Sequence, residues 1–248
     1  MASQHKVIIF GATSAIAQAI ARRLAGDGAG FALVGRDEGR LAVVRDDLLA
    51  RGATNVTTHV LSYGDYAVYA PLIDAATSAL GGLTTVIVAH GELSDQERAE
   101  LEPEYLVQQL NVNLISPLVA ITVAANRLQE QGSGMIIVPG SVAGDRGRRS
   151  NYAYGTAKAA LATFSEGLRS RLAGSGVQVM LVKPGRVDTP MTAHFPNRTL
   201  FSSPDRVARD VVRAMSRGRD VVYTPWYWRY IMLVIRLLPA ALFKRARF

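Results

Sequence analysis

The sequence predicts an α/β protein: a doubly wound, mostly parallel sheet with helices on both faces. Three observations carry this. Short apolar runs alternate with amphipathic segments, and the first run ends in a glycine turn that opens a helix. The 248 residues, 49% of them hydrophobic, also suit one large domain without internal repeats or low-complexity linkers.

Residues 6–11, KVIIFG, are a β-rich apolar run closed by glycine, and GATSAIAQAIARRLAGDG follows with apolar residues at helical spacing. Strand, glycine turn and helix in that order put a helix N-terminus where it can hold a dinucleotide pyrophosphate. Strand follows at 31–35, helix at 37–51, strand at 56–61, helix at 65–80, strand at 84–89 and a helical pattern at 97–131. The alternation resumes with strand at 134–139, helix at 151–174 and strand at 177–183. Ligands of such sheets collect outside the carboxyl ends of the strands. Gly11, Gly91, Ser141 and Pro184 all fall just past strand ends, so four separated motifs converge on one crevice.

The stretch SVAGDRGRRSNYAYGTAK, Ser141 to Lys158, holds the candidate chemistry. Tyr154 and Lys158 are four residues apart and share a helical face, and Ser141 follows the apolar run MIIVPG. An ammonium beside a phenol stabilises the phenolate and is expected to lower the phenol's pKa toward working pH. The tyrosine can then exchange a proton with a carbonyl or alcohol oxygen.

The chain resembles the short-chain dehydrogenase/reductase family through GATSAIA (11–17), AHG (89–91), NVNL (111–114), GSVAG (140–144), YGTAK (154–158) and KPGRVDTPM (183–191). The resemblance implies a Rossmann-type fold and a catalytic set of Ser141, Tyr154 and Lys158, with Asn113 helping to hold a proton-relay water. It implies cofactor contacts from Gly11, Thr13, Ser14 and Ile16, from Ala89, His90 and Gly91, and from Tyr154 and Lys158. Pro184, Gly185, Val187 and Thr189 would border the nicotinamide. A homo-oligomer is implied as well.

Three departures stand out. Ala15 and Ala17 replace glycines usual in the first loop, and an added methyl narrows the backbone's approach to a pyrophosphate. The usual NNAG is VAHG (88–91), which brings in His90 as a packing or hydrogen-bonding residue rather than an acid. The family's aspartate after the third strand is missing from HVLSYGDY, leaving the adenine contacts open.

Cofactor choice is readable at the end of the second strand, FALVGRD. An acid about twenty residues past the glycine turn would hold ribose hydroxyls. Gly35 takes that place, leaving room for a phosphate, and Arg36 can pair with it in bidentate fashion. This favours NADP(H), with Asp37 serving as the N-cap of the next helix.

Composition excludes several classes. With no cysteine and four scattered histidines, neither disulfides nor a metal site are expected. No basic segment followed by an apolar core opens the chain, so no export signal is expected and the cytoplasm is the expected compartment. The net charge of +8 is uneven: residues 1–195 carry 17 basic and 17 acidic side chains, residues 196–248 carry 11 and 3. The segment WYWRYIMLVIRLLPAALFKRARF (226–248) contains both tryptophans and five basic residues without an acid. Arg229, Arg236 and Pro239 interrupt it, so it fails the roughly 20 apolar residues a bilayer span needs. It fits an interfacial helix meeting anionic lipid on the inner face of a membrane, while burial as a lid or subunit interface stays open. The expected division is a catalytic domain over 1–225 and an amphipathic helical tail over 226–248. Nucleic acid is not an expected partner, since the cations interleave with large aliphatics and no nucleic-acid motif is present.

A second basic cluster, Arg146, Arg148 and Arg149, lies between Ser141 and Tyr154, where arginines could hold substrate phosphate or carboxylate. Together with the tail, the pattern RRSNYAYGTAKA (148–159) resembles the subgroup of reductases acting on decaprenylphosphoryl 2-keto-erythro-pentofuranose. The expected activity is NADPH-dependent reduction of a ketone on an anionic or lipid-linked keto-sugar. A soluble reductase of small ketones or 3-oxoacyl groups, and a non-catalytic NADP-binding scaffold, remain as alternatives.

Overall fold

A computed structural model describes residues 5–26, 28–196 and 198–245. The alternating apolar runs become strands β1 (Lys6–Phe10), β2 (Gly30–Gly35), β3 (Asn55–Val60), β4 (Thr85–Val88), β5 (Gly134–Pro139), β6 (Val177–Pro184) and β7 (Val221–Thr224). They pair in parallel throughout, in the order β3-β2-β1-β4-β5-β6-β7. The winding reverses between β1 and β4, which is where such sheets open a crevice at their carboxyl edge. Phe10 is in register with both Val34 and Val88, so the segments after β1, β2 and β4 emerge side by side there.

The pleat sends alternate residues to opposite faces. Ile8, Phe10, Val86, Val88, Ile136 and Val138 pack against α3 (Tyr69–Leu80), α6 (Ser116–Gln131) and α7 (Tyr152–Arg171). Val7, Ile9, Phe31, Leu33, Ile87 and Val182 pack against α1 (Ala15–Ala25), α2 (Glu38–Ala50) and α8 (Pro204–Met215) on the other face. Both faces of the sheet are covered by helices, so the inner strands are almost wholly apolar, whereas the edge strand β3, NVTTHV, is mixed and at most half-buried.

The helical pattern at 97–131 is not one helix. Proline has no N–H to donate and forces its predecessor out of the helical region. Glu102 is accordingly extended (φ −118°, ψ 94°), and the run divides into α4 (Gln96–Leu101) and α5 (Pro103–Leu110). A π-helical turn, Asn111–Ile115, then joins α5 to α6 and directs Asn113 into the interior, where it is fully buried.

Sequence periodicity stopped short of α8 and β7. In α8 the core face is Val207, Ala208, Val211 and Ala214. Arg206, Arg209 and Arg213 occupy its solvated side, and Arg217 and Arg219 lie exposed just beyond it. These five arginines are partly offset by Asp205 and Asp210, so the larger share of the basic excess stays with residues 226–248. The tail forms α9 (Trp228–Leu237) and α10 (Ala240–Phe243), split at Pro239 as expected. Trp228 and Met232 of α9 are buried against Val142, with Tyr223, Ile231 and Ile235 around them. Residues 246–248, Arg247 among them, lie outside the described residues.

Candidate active site

Ser141 follows β5 in extended conformation and caps a 3-10 turn, Val142–Gly144, with Oγ accepting from Ala143 N at 3.0 Å. Two glycines let that turn lie directly on α7. A Cβ on Gly144 would sit 2.6 Å from the Lys158 carbonyl carbon, and one on Gly155 would sit 2.9 Å from Ala143 O. That contact brings Ser141 to Tyr154, and their hydroxyls are hydrogen-bonded.

The electrostatics run opposite to the sequence expectation. Burial pushes the Tyr154 phenol up to about 12, against the opposing effect of the Ser141 hydrogen bond. Burial likewise lowers Lys158 to about 8. The ammonium does not depress the phenol because it sits 5.5 Å from the Tyr154 ring centroid and donates to Pro139 O at 3.2 Å. The phenol is consequently held protonated, the form a proton donor needs. Asn113 and Lys158 flank Gly91: a Cβ there would lie 2.9 Å from Asn113 Oδ1 and 3.8 Å from Lys158 Nζ. Asn113 Oδ1 accepts from Glu92 N at 2.9 Å, and its Nδ2 donates to Gln109 Oε1 at 3.4 Å.

The glycine turn has the shape a dinucleotide requires. Gly11 has φ +77°, and a Cβ on it would lie 2.4 Å from His90 N, so only glycine permits β1 and β4 to converge here. Ser14 caps α1 without using its side chain, and Thr13, Ser14 and Ile16 are half-buried around that helix start. A turn that glycine alone fits, leading into an uncapped helix N-terminus, suits a pyrophosphate. Ala17 is fully buried in the α1 packing face, so its methyl fills core, whereas Ala15 is half-buried at the mouth of the turn.

Gly35 also has a packing role. A Cβ on it would lie 3.1 Å from Leu41 Cδ2, so its small size lets α2 approach β2 closely. Arg36 is exposed beside it, 5.8 Å from the ring centroid of Tyr63, and Asp37 caps α2 by accepting from Arg40 N at 2.9 Å. Tyr63 fills the space after β3, with its hydroxyl bonded to the Gly11 backbone. His90 stacks on it at 4.2 Å, and its Nε2 shares a 2.7 Å hydrogen bond with Ser116 Oγ. Burial and the nearby cations lower His90 to about 3, so it is neutral and packs, as the sequence suggests.

A cavity of about 590 Å³ unites Ser141 and Tyr154 with Ile16, Pro184, Gly185, Val187 and Thr189. Arg148 lines it as well. Arg146 does not, because its guanidinium donates to Ile235 O and, at 2.8 Å, to Leu238 O. Arg149 is exposed and does not line the cavity either.

The short chain dehydrogenase family model matches residues 5–199. An uncharacterized oxidoreductase of Mycobacterium tuberculosis is 37% identical over 239 residues, 96% of each chain. The chain belongs to the short chain dehydrogenase family. A second uncharacterized oxidoreductase, from Streptomyces coelicolor, is 35% identical over 242 residues, covering 97% of this chain and 95% of that one. A short-chain type dehydrogenase/reductase from Mycobacterium ulcerans superposes with a TM-score of 0.79 at 22% identity, covering 90% of this chain and 89% of that one, which bears on the fold. As a short chain dehydrogenase the protein is an oxidoreductase, and its family uses a nicotinamide dinucleotide, NAD(P)(H).

Some residues of this short chain dehydrogenase's site escaped the sequence reading. Trp228 and Asn151 line the cavity, as does Arg186. Asn151 and Arg186 were legible in principle, since they lie inside the recognised stretches RRSNYAYGTAKA and KPGRVDTPM. Trp228 was not, because no spacing rule places a tail residue against Gly185.

Proposed function

We propose that this short chain dehydrogenase is an NADPH-dependent carbonyl reductase. The observation that carries the reading is the hydrogen-bonded pair of Ser141 and a protonated Tyr154 opening into one cavity with Pro184, Gly185 and Val187. The bound nicotinamide would supply the hydride to a ketone carbon. Ser141 would donate a hydrogen bond to the carbonyl oxygen, stabilising charge where it develops. Tyr154 would deliver its proton to that oxygen as it becomes an alkoxide. Lys158, held by Pro139 O, would bind ribose hydroxyls and offset the charge left on the phenolate, with Asn113 anchoring the water that restores the proton. Exposed Arg36 supports NADP(H) over NAD(H), because a guanidinium pairs with a 2′-phosphate.

The substrate reading is an anionic or lipid-linked keto-sugar, in line with the subgroup resembled by RRSNYAYGTAKA and the tail. Its support is Arg148 in the cavity and the outer side of the tail, where Trp226, just before α9, and Tyr230, Leu233, Val234 and Leu237 of α9 are all exposed. Arg229, Arg236, Lys244 and Arg245 are exposed around that face. An apolar stripe rimmed with cations suits the surface of an anionic membrane, on its cytoplasmic side. Following NADPH oxidation against soluble and lipid-linked ketones, with and without anionic vesicles, tests both readings. Turnover of lipid-linked or anionic ketones, enhanced by vesicles, is expected. Turnover confined to small neutral ketones would replace the substrate reading, and none with any ketone would remove the reductase reading.

A further inference from the structure

Three buried polar atoms with no hydrogen-bond partner among the described residues belong to side chains lining the Ser141–Tyr154 cavity: Arg148 Nε, Asn151 Oδ1 and Trp228 Nε1. Buried polar groups are nearly always paired, so three orphans around one cavity need a reason. Asn151 is the N-cap of α7, where an asparagine side chain ordinarily caps the helix, yet it makes no cap bond. Gln96 Oε1 takes over that task by accepting from Ala153 N at 3.0 Å. Trp228 reaches in from α9 and lies so close to Gly185 that a Cβ there would meet its Nε1 at 1.8 Å. Arg148 is held in a place unfavourable to its charge, first by burial and then by repulsion from Arg186, which also lines the cavity.

The segment presenting these atoms is fixed from behind. The Asp145 side chain is 1% exposed, pairs with Lys183 Nζ at 2.5 Å and accepts from Tyr223 OH at 2.8 Å. Arg146 ties the same segment to the α9 carbonyls. Two donors and one acceptor without partners are thus carried by three side chains that line one cavity. Their complement is an oxyanion beside a hydroxyl.

We propose that Arg148, Asn151 and Trp228 form a substrate subsite for a phosphate or carboxylate carried next to a hydroxyl group. Arg148 and the Trp228 indole N–H donate to the oxyanion, and Asn151 Oδ1 accepts from the hydroxyl. The inference deepens the carbonyl reductase reading and rests on it for the ketone. The substrate class becomes a hydroxylated ketone with an anionic group within one cavity's reach of the carbonyl. It also makes α9 a wall of the substrate site.

Binding without turnover tests this separately from the reductase reading. The chain has two tryptophans, and Trp226 is 67% exposed, so a Trp226→Phe protein reports through Trp228 alone. Glycerol 3-phosphate, glycerate and glycerol are titrated against its fluorescence, with NADPH binding by the same samples as the check on folding. At least one of the two anions is expected to saturate the signal more than tenfold more tightly than glycerol, and the tighter one names phosphate or carboxylate as the group recognised. Arg148→Gln is expected to weaken that anion about ten- to a hundredfold. Arg148→Lys, which keeps the charge but not the fork, is expected to fall between. Glycerol binding as tightly as the anions, or either Arg148 variant titrating like the parent while still binding NADPH, overturns the subsite. Absence of ketone turnover with this pattern intact would fault the reductase reading alone.

Discussion

The guanidinium of Arg146 lies 3.8 Å from the centroid of the Phe243 ring while donating to the carbonyls of Ile235 and Leu238. One side chain from the loop between Ser141 and Tyr154 thereby satisfies the C-terminal end of α9 and holds α10 by a cation–π contact. Carbonyls at a helix C-terminus have no partners within the helix, and a cation is favoured there by the helix dipole.

Arg146→Ala should therefore loosen the tail without unfolding the sheet. Hydrogen bonds from a charged group are worth roughly 1.5–3 kcal/mol. Amide exchange across residues 228–238 should rise about ten- to a hundredfold, with the strands unaffected. Unchanged protection of α9 would show that Trp228 and Met232 anchor the helix alone.

Tyr154→Phe removes the proposed proton donor and keeps the ring. Turnover should fall roughly 10²–10⁴-fold, the usual contribution of general acid–base catalysis, with NADPH affinity retained. Near parental turnover in the Phe protein, measured by NADPH oxidation, would refute the assignment.

The sheet, its parallel winding and the nearness of Ser141, Tyr154 and Lys158 to one another were legible because each rests on local pattern: a strand period, a glycine turn, a four-residue helical spacing. The break at Pro103 was equally local, yet the apolar periodicity on either side of it masks the stop. Arg146 misled for a different reason. Its residue type suits a phosphate, but its surroundings, the α9 carbonyls, are set by tertiary packing. Direction of a pKa was illegible for the same reason, since four-residue spacing sets proximity of Tyr154 and Lys158 and says nothing of how deeply both are buried.

Arg36→Ala should weaken NADPH about ten- to a hundredfold and leave NADH nearly unchanged, since only the former carries a phosphate for the guanidinium. Titration of both cofactors decides it. Equal losses would mean that Arg36 acts through its contact with Tyr63, and would take away the main support for NADP(H).

Lys158 should cost the fold stability. Its pKa is lowered by burial from 10.5 to about 8, so between those values the unfolded chain binds more protons than the folded one. Stability accordingly rises with pH across that window. Below pH 8 the ammonium is charged in both states, and the folded state bears the whole desolvation cost. At about 1.4 kcal/mol per unit the cost is about 3 kcal/mol, reduced by the bond to Pro139 O. Lys158→Met should raise urea stability at pH 7 by roughly 1–3 kcal/mol, with the gain shrinking toward pH 10. A Met protein less stable than the parent at pH 7 would contradict this.

The outer face of α9 separates membrane contact from burial. Its exposed Tyr230, Leu233, Val234 and Leu237, with Trp226 just before it, would enter the headgroup region, and Arg229, Arg236, Lys244 and Arg245 would meet anionic lipid. Each basic residue near such a surface contributes about 1 kcal/mol, and the attraction fades beyond a Debye length. The protein should therefore sediment with vesicles containing acidic lipid at low salt and release as salt rises. Changing Lys244 and Arg245 to Gln should weaken vesicle binding by about one to two powers of ten while NADPH binding stays at the parental level. Leu233→Glu, on the apolar stripe and away from the cavity, should abolish it. Because the opposite face of α9 carries Trp228 and Met232 into the body of the protein, neither change should loosen the tail. If the parent ignores acidic vesicles at low salt and Leu233→Glu instead dissociates an oligomer, the stripe is a subunit contact and the membrane reading falls.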